Sequence, residues 1–334
     1  MFTTMELSRM PDLAGLQAAL DAVAGRHEVL RMRYDERANV MVVGMITPAS
    51  DFHVPLLVVD VACEDEVASQ LQAEAAAPFD LGAGPLLRAR IVQRAGQAAV
   101  VLVLSMHHAV GDAWSVGLLT RELGQAYAAA LVGQQPAWAA LPIQYADYAE
   151  WQQEQVSGAA GQELREWWRQ ALAGAPALLQ LPLDRPRHTQ PTYEAGSVSL
   201  DLPPRLVQDM EALAAQLRVN TQAVLLAALQ VVLLRYSGQE DVVVGVPVAG
   251  RDRPETQGLV GYFINTLPVR CRAVEGATFA DVACSTSKAM LDALAHSALP
   301  LELVLAATGV ARMPGVNPLF QVWVLQSSAI SAAH

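Results

Sequence analysis

Residues 98–115 read AAVVLVLSMHHAVGDAWS, and this stretch decides the fold. Its first nine residues, Ala98 to Met106, are almost wholly apolar and rich in valine, the mark of a strand covered on both faces. Helical spacing takes over from Trp114 to Val132. The two histidines, His107 and His108, fall where the strand ends, and Asp112 stands just before the helix. Strand side chains alternate in direction, so the two rings should face opposite ways and only one can enter a given cavity. Asp112 has the usual identity of a helix N-cap. Consecutive strand histidines do not converge on a metal ion, so no metal is expected. Polar groups placed at the end of a buried strand cost free energy unless they have a purpose, which marks this turn as the candidate site.

Outward from it the chain alternates between helical and extended patterns. Helices are expected over Leu13 to Glu28, Glu64 to Ala77, Ile143 to Gln155, Gly161 to Leu172, Pro204 to Leu217, Thr221 to Tyr236 and Thr278 to His296. Strands are expected over Val40 to Val43, Pro55 to Val61, Leu86 to Val92, Ser197 to Leu202, Asp241 to Val248, Tyr262 to Arg272 and Leu319 to Leu325. Such mixing in both halves gives an α/β class (α+β, two-layer). Pro182, Pro186 and Pro191 interrupt residues 180–191, which read as a linker between residues 1–179 and 192–334.

The chain has 334 residues, 53% hydrophobic and 16% charged, with mean hydropathy +0.26. That is a globular balance, not a disordered one. The longest apolar run, Ala223 to Leu234, is broken by Gln230 and falls short of the roughly 20 residues of a membrane span. The N-terminus lacks the regions of a signal peptide, so a cytoplasmic protein with no membrane partner is expected. A net charge of −11 argues against nucleic acid as a partner. Cys63, Cys271 and Cys284 are odd in number and widely spaced, and read as small buried side chains rather than disulfides or zinc ligands.

HHAVGDAWS, residues 107–115, resembles the HHxxxDG signature of the condensation domains of nonribosomal peptide synthetases, within the chloramphenicol-acetyltransferase-like superfamily. Companion motifs follow in order: RHEVLRMRY at 26–34, FDL at 79–81 with GPLLR at 84–88, YADYAEW at 145–151, VGYFINTL at 260–267, His296 with Pro300 and Glu302, and NPLF at 317–320. The resemblance implies two acetyltransferase-like lobes forming a V around a central channel. It implies amide bond formation between a donor acyl or peptidyl thioester and an acceptor aminoacyl thioester. Both substrates ride on the phosphopantetheine of upstream and downstream peptidyl carrier domains, beside an adenylation domain, and no cofactor is bound directly. Within the family the DAWS context differs from epimerisation domains and resembles condensation domains taking an L-configured donor.

By the same resemblance His108 is the proton acceptor, or else positions the amine and stabilises the tetrahedral intermediate, and His107 supports the strand end. Asp112 forms a structural ion pair with an arginine, for which Arg251, Arg26 and Arg31 are the candidates. Asn265 is either a donor near the channel or a backbone-satisfying amide. Trp114 and Ser115 begin the helix, Trp114 either packing or walling the acceptor pocket. His27, Glu28, Tyr145, Asp147 and Trp151 read as structural. Ala113 stands where the motif has glycine, which predicts an altered turn. Ser297 and Ala298 replace Gln-Asp, and the opening SxAQxRLWxL motif and the part beyond NPLF are absent, which predicts a domain truncated at both ends. A related acyltransferase acting on an alcohol or free amine, and an inactive docking module, remain as alternative readings.

Overall fold

The computed structural model describes residues 1–37, 41–185, 187 and 195–326. The chain forms β1 (Phe2–Leu7), α1 (Leu13–Arg26), β2 (Met32–Arg37), β3 (Met41–Ile46), β4 (Leu56–Val61), α2 (Glu64–Ala76), β5 (Leu87–Arg94), β6 (Val100–Met106), α3 (Ala113–Leu131) and α4 (Tyr145–Ser157). It continues with α5 (Ala159–Ala171), α6 (Pro204–Leu217), α7 (Thr221–Ser237), β7 (Asp241–Val248), the single turn α8 (Pro254–Gln257), β8 (Asn265–Arg272), α9 (Phe279–Ala295) and α10 (Leu301–Thr308).

These elements make two compact units. The first comprises residues 1–153 together with 251–263, and the second residues 154–250 and 264–334. The boundary therefore falls at Glu154, upstream of the proline-rich segment 180–191, part of which lies outside the described residues. The reason is packing: Val156, Trp168, Leu172 and Leu179 are buried among the residues of the second core.

In the first unit the sheet order is β1-β6-β5-β4, with β4 and β5 parallel and the other pairs antiparallel. Leu102, Leu104 and Met106 of β6 pack with Leu16, Leu20 and Val23 of α1 and Leu118, Leu119 and Leu123 of α3. Val101 and Val103, the alternate residues, pack with Val67 and Leu71 of α2. The almost wholly apolar run of β6 is thus explained by helices on both faces. Each such large apolar side chain contributes roughly 1.5–3 kcal/mol by burial.

A polar tie joins α1 to α3. Val260 donates its N–H to His27 Nδ1 at 3.3 Å, so the ring proton sits on Nε2, 2.7 Å from Glu122 Oε2; Arg26 Nε reaches Glu122 Oε1 at 3.3 Å. Burial raises the Glu122 pKa, but His27 and Arg26 outweigh it and the carboxyl lies below its usual value. A carboxylate whose folded value is depressed adds stability above its unfolded value and loses it as pH falls through the folded one. Glu122→Gln should therefore flatten the acid limb of the stability–pH curve below about pH 4.5, as measured by urea denaturation at several pH values. An unchanged acid limb would remove Glu122 from that role.

In the second unit β7 and β8 pair antiparallel. Phe320, Leu226 and Leu299 are fully buried beside Val244 and Trp168. Gly245 lies against the Phe320 ring: a Cβ there would stand 2.5 Å from Cε2. The run Ala223 to Leu234 lies within α7, where Gln230 is buried and accepts from Thr286 Oγ1 at 2.7 Å. Among the described residues no single helix is long and apolar enough to cross a membrane; the α6–α7 pair reaches that test only jointly, across a 103° bend.

Two expected strands are not formed. Residues 195–203 make no ladder, and Val198 and Leu200 are 98% and 82% exposed: their alternation has no paired neighbour among the described residues. Near Leu319, which takes φ +71°, the described residues make only an isolated parallel bridge, Gly245 with Trp323. Cys63 and Cys284 are exposed and only Cys271 is buried, so the cysteines are not uniformly core residues.

Candidate active site

The ladder of β6 ends at Met106, and a 3-10 turn over His108–Val110 carries the chain into α3. His107 caps that turn: its Nδ1 accepts the Ala109 N–H at 3.0 Å. An acceptor Nδ1 places the ring proton of the neutral imidazole on Nε2. His108 has the opposite tautomer. Its Nδ1 lies 2.8 Å from Gly111 O, and since a carbonyl can only accept, Nδ1 carries the proton and Nε2 keeps its lone pair. Among the described residues that Nε2 has no hydrogen-bond partner. The rings also have separate neighbours, His107 edge-on to Phe79 at 5.9 Å and His108 edge-on to Tyr262 at 5.2 Å between centroids. His108 is exposed and His107 half-buried, so the pair is not buried as the strand-end reading expected. Burial, with the adjacent His108, pulls the His107 pKa below its ordinary value.

Asp112 is the N-cap of α3 and more. Its Oδ1 accepts from Ser115 N at 2.8 Å and Ser115 Oγ at 2.8 Å, and its Oδ2 from Phe263 N at 3.2 Å. Arg251 NH2 donates to both carboxylate oxygens at 3.1 and 3.2 Å, and its NH1 to Thr256 O at 2.6 Å and Leu259 O at 2.7 Å. Both side chains are 2% exposed, with the guanidinium 4.1 Å from the Phe263 ring centroid. Burial pulls the Arg251 pKa down and the Asp112 charge opposes it. Arg26 is engaged with Glu122, and Arg31 with the carbonyls of Ala24 and Thr47.

Ser115 is the second centre of this network. Its hydroxyl accepts from Gly261 N at 3.1 Å and lies 3.0 Å from Gly261 O. Gly261 must be glycine for close approach, since a Cβ would stand 2.2 Å from Tyr145 Cδ2. Tyr145 donates its hydroxyl to Tyr262 O at 2.8 Å, and burial raises its pKa well above the usual phenol value, keeping that donor protonated.

Ala113 is the exposed first residue of α3 and is not in the left-handed region that would require glycine. Trp114 is 49% exposed, with Nε1 donating to Gln257 O at 3.0 Å. Asn265 lies in the second unit, where its amide donates to Ser297 O and Leu299 O and accepts from Thr266 N and Leu301 N. These four bonds use the whole amide to hold β8 and the start of α10. His107, His108, Asp112, Trp114, Ser115 and Arg251 come together in the first unit, and Asn265 belongs to the second. Sequence reading missed Tyr262, Glu122 and the roles of Gly261 and Phe263; the spacing VGYF beside a histidine turn was the signal available.

A doubly covered mixed sheet delivering a bare imidazole nitrogen at its strand end defines the acetyltransferase-like class. Within it, the Condensation domain family matches residues 1–329, and the chain belongs to that family. It is 38% identical to a linear gramicidin synthase of Brevibacillus parabrevis over 99% of this chain and 6% of that one. It is 37% identical to the phosphinothricin tripeptide synthetase PhsB of Streptomyces viridochromogenes over 93% of this chain and 26% of that one. The chain thus spans a small part of these relatives' length. Among solved structures, the X-domain from teicoplanin biosynthesis superposes with TM-score 0.91 at 28% identity, covering 97% of this chain and 72% of that one.

Proposed function

We propose that this domain forms an amide between a donor acyl or peptidyl thioester and an acceptor aminoacyl thioester, both borne on phosphopantetheine arms of carrier domains in a cytoplasmic peptide synthetase that also holds adenylation domains. The observation that supports it most is the His108 tautomer, fixed by Gly111 O so that a basic Nε2 is available. The acceptor amine attacks the thioester carbonyl, forming the C–N bond. His108 Nε2 takes the proton the amine sheds, the C–S bond breaks, and that proton passes to the departing thiolate. His107, whose Nδ1 is occupied, is a support of the turn rather than a base. Asp112 holds the turn through Arg251 and does not touch substrate.

The test is a single-turnover assay with donor- and acceptor-loaded carrier proteins. His108→Ala should lower the amide-forming rate by about 10²–10⁴-fold while the protein keeps its wild-type melting behaviour. A variant within threefold of wild type would sink the base role. A second reading, a docking module without chemistry, draws support from the X-domain, whose structure was also solved as a complex with OxyB and superposes with TM-score 0.90. A folded wild-type chain that makes no amide would move that reading to the front.

A further inference from the structure

Tyr262 has a placement that the ion pair alone does not require. Its two chain neighbours are both clamped to the Asp112–Ser115 corner. Gly261 donates its N–H to the Ser115 hydroxyl, and Phe263 donates its N–H to Asp112 Oδ2. The Tyr262 carbonyl is fixed in turn by the Tyr145 hydroxyl. A residue anchored at its own carbonyl and on both sides has the direction of its Cα–Cβ bond fixed. That side chain stands against His108, with centroids 5.2 Å apart and planes at 82°. Edge-to-face packing is a favoured arrangement of aromatic rings.

His108 needs such a wall. It is exposed, and among the described residues the hydrogen bond from Nδ1 is the only one that sets its rotation about Cβ–Cγ. A ring turned away would lose the Gly111 bond, and with it the acceptor that keeps the proton on Nδ1 and leaves Nε2 bare. We propose that Tyr262 is the positioning residue of this site, its ring, carried on a clamped backbone, standing edge-to-face against His108 and keeping the imidazole turned toward Gly111 O in the Nδ1–H form that presents a bare Nε2. The buried Asp112–Ser115–Arg251 cluster then has a task beyond stability: it aims Tyr262. This inference rests on the amide-forming reading and adds to it a residue that acts through His108.

The experiment reads His108 directly. In protein with ¹⁵N-labelled histidine, the His108 ring resonances are assigned by their loss in His108→Gln, and the ¹⁵N shifts of Nδ1 and Nε2 report the tautomer at a pH where the ring is neutral. The wild type should hold the Nδ1–H form. Tyr262→Leu should move both shifts toward the averaged values of a mixed population, and Tyr262→Phe should restore them. In the single-turnover assay Tyr262→Leu should lower the maximal rate about tenfold or more, with the half-saturating carrier concentration within twofold of wild type and recovery in Tyr262→Phe. Tyr262→Met, which keeps the side-chain bulk, serves in its place should Tyr262→Leu fail to fold. A wild-type tautomer in the leucine or methionine variant overturns the proposal, as does a loss seen only in half-saturation. A wild-type chain that forms no amide removes the proposed reaction, while the tautomer measurement still decides on Tyr262.

Discussion

Asp112→Ala is expected to lower the free energy of unfolding by about 3–5 kcal/mol, because it strands a buried partner charge. The Arg251 side chain is 2% exposed and cannot recover water in the folded state. The variant also orphans the N–H of Phe263 and removes the cap of α3, the latter alone worth roughly 1 kcal/mol. Arg251→Ala should cost a similar amount by stranding the carboxylate. The double variant should lose less than the sum of the two, since neither buried charge is then left without its partner. Asp112→Asn keeps the cap and the acceptor oxygen and should fall between wild type and alanine. Urea denaturation of the four variants beside the wild type checks this; a loss below about 1 kcal/mol in both alanine single variants would show that water reaches the pair.

The second large effect belongs to the other unit. Phe320→Ala should cost about 3–5 kcal/mol, the usual range for emptying a buried aromatic site. Phe320 has no exposed surface and its ring lies against Gly245, on the strand it covers. The same contact makes a signed forecast for a second position. Gly245→Ala in the wild type sets a Cβ 2.5 Å from the ring and should destabilise, by roughly 1–3 kcal/mol. In the Phe320→Ala background the ring is gone and the added methyl should be neutral or favourable. Equal costs in both backgrounds would show that the two residues do not press on each other.

Much of this fold was legible because its strongest signals are local. The helix over Pro204–Leu217 announces itself with proline at its first position, and the strand over Asp241–Val248 with a run of valines. β1 was missed because FTTMEL carries no strong apolar alternation; it exists because β6 offers it an edge, with Phe2 opposite Ser105 and Leu7 opposite Val100. Residues 197–202 carry that alternation and stay unpaired. Propensity without a partner does not make a strand. The site divides in the same way. The histidines, Asp112 and the candidate Arg251 could be named from motifs. The Ser115 hydroxyl bridging to Gly261 and the ring of Tyr262 depend on a segment that returns from about 150 residues away, and no local pattern encodes that return.

That return sets an order on synthesis. The first 153 residues leave the ribosome with the Asp112 carboxylate formed while its partners Arg251 and Phe263 are still untranslated. Phe263 follows Asp112 by 151 positions, which at about 5–20 residues per second is roughly 8–30 s of waiting. During that interval the nascent sheet carries an uncompensated acid at the head of α3, an exposed intermediate of the kind chaperones hold. Cutting the gene at the Gln153–Glu154 boundary would therefore not release an independent catalytic half, because residues 251–263 of that half would be left on the other piece.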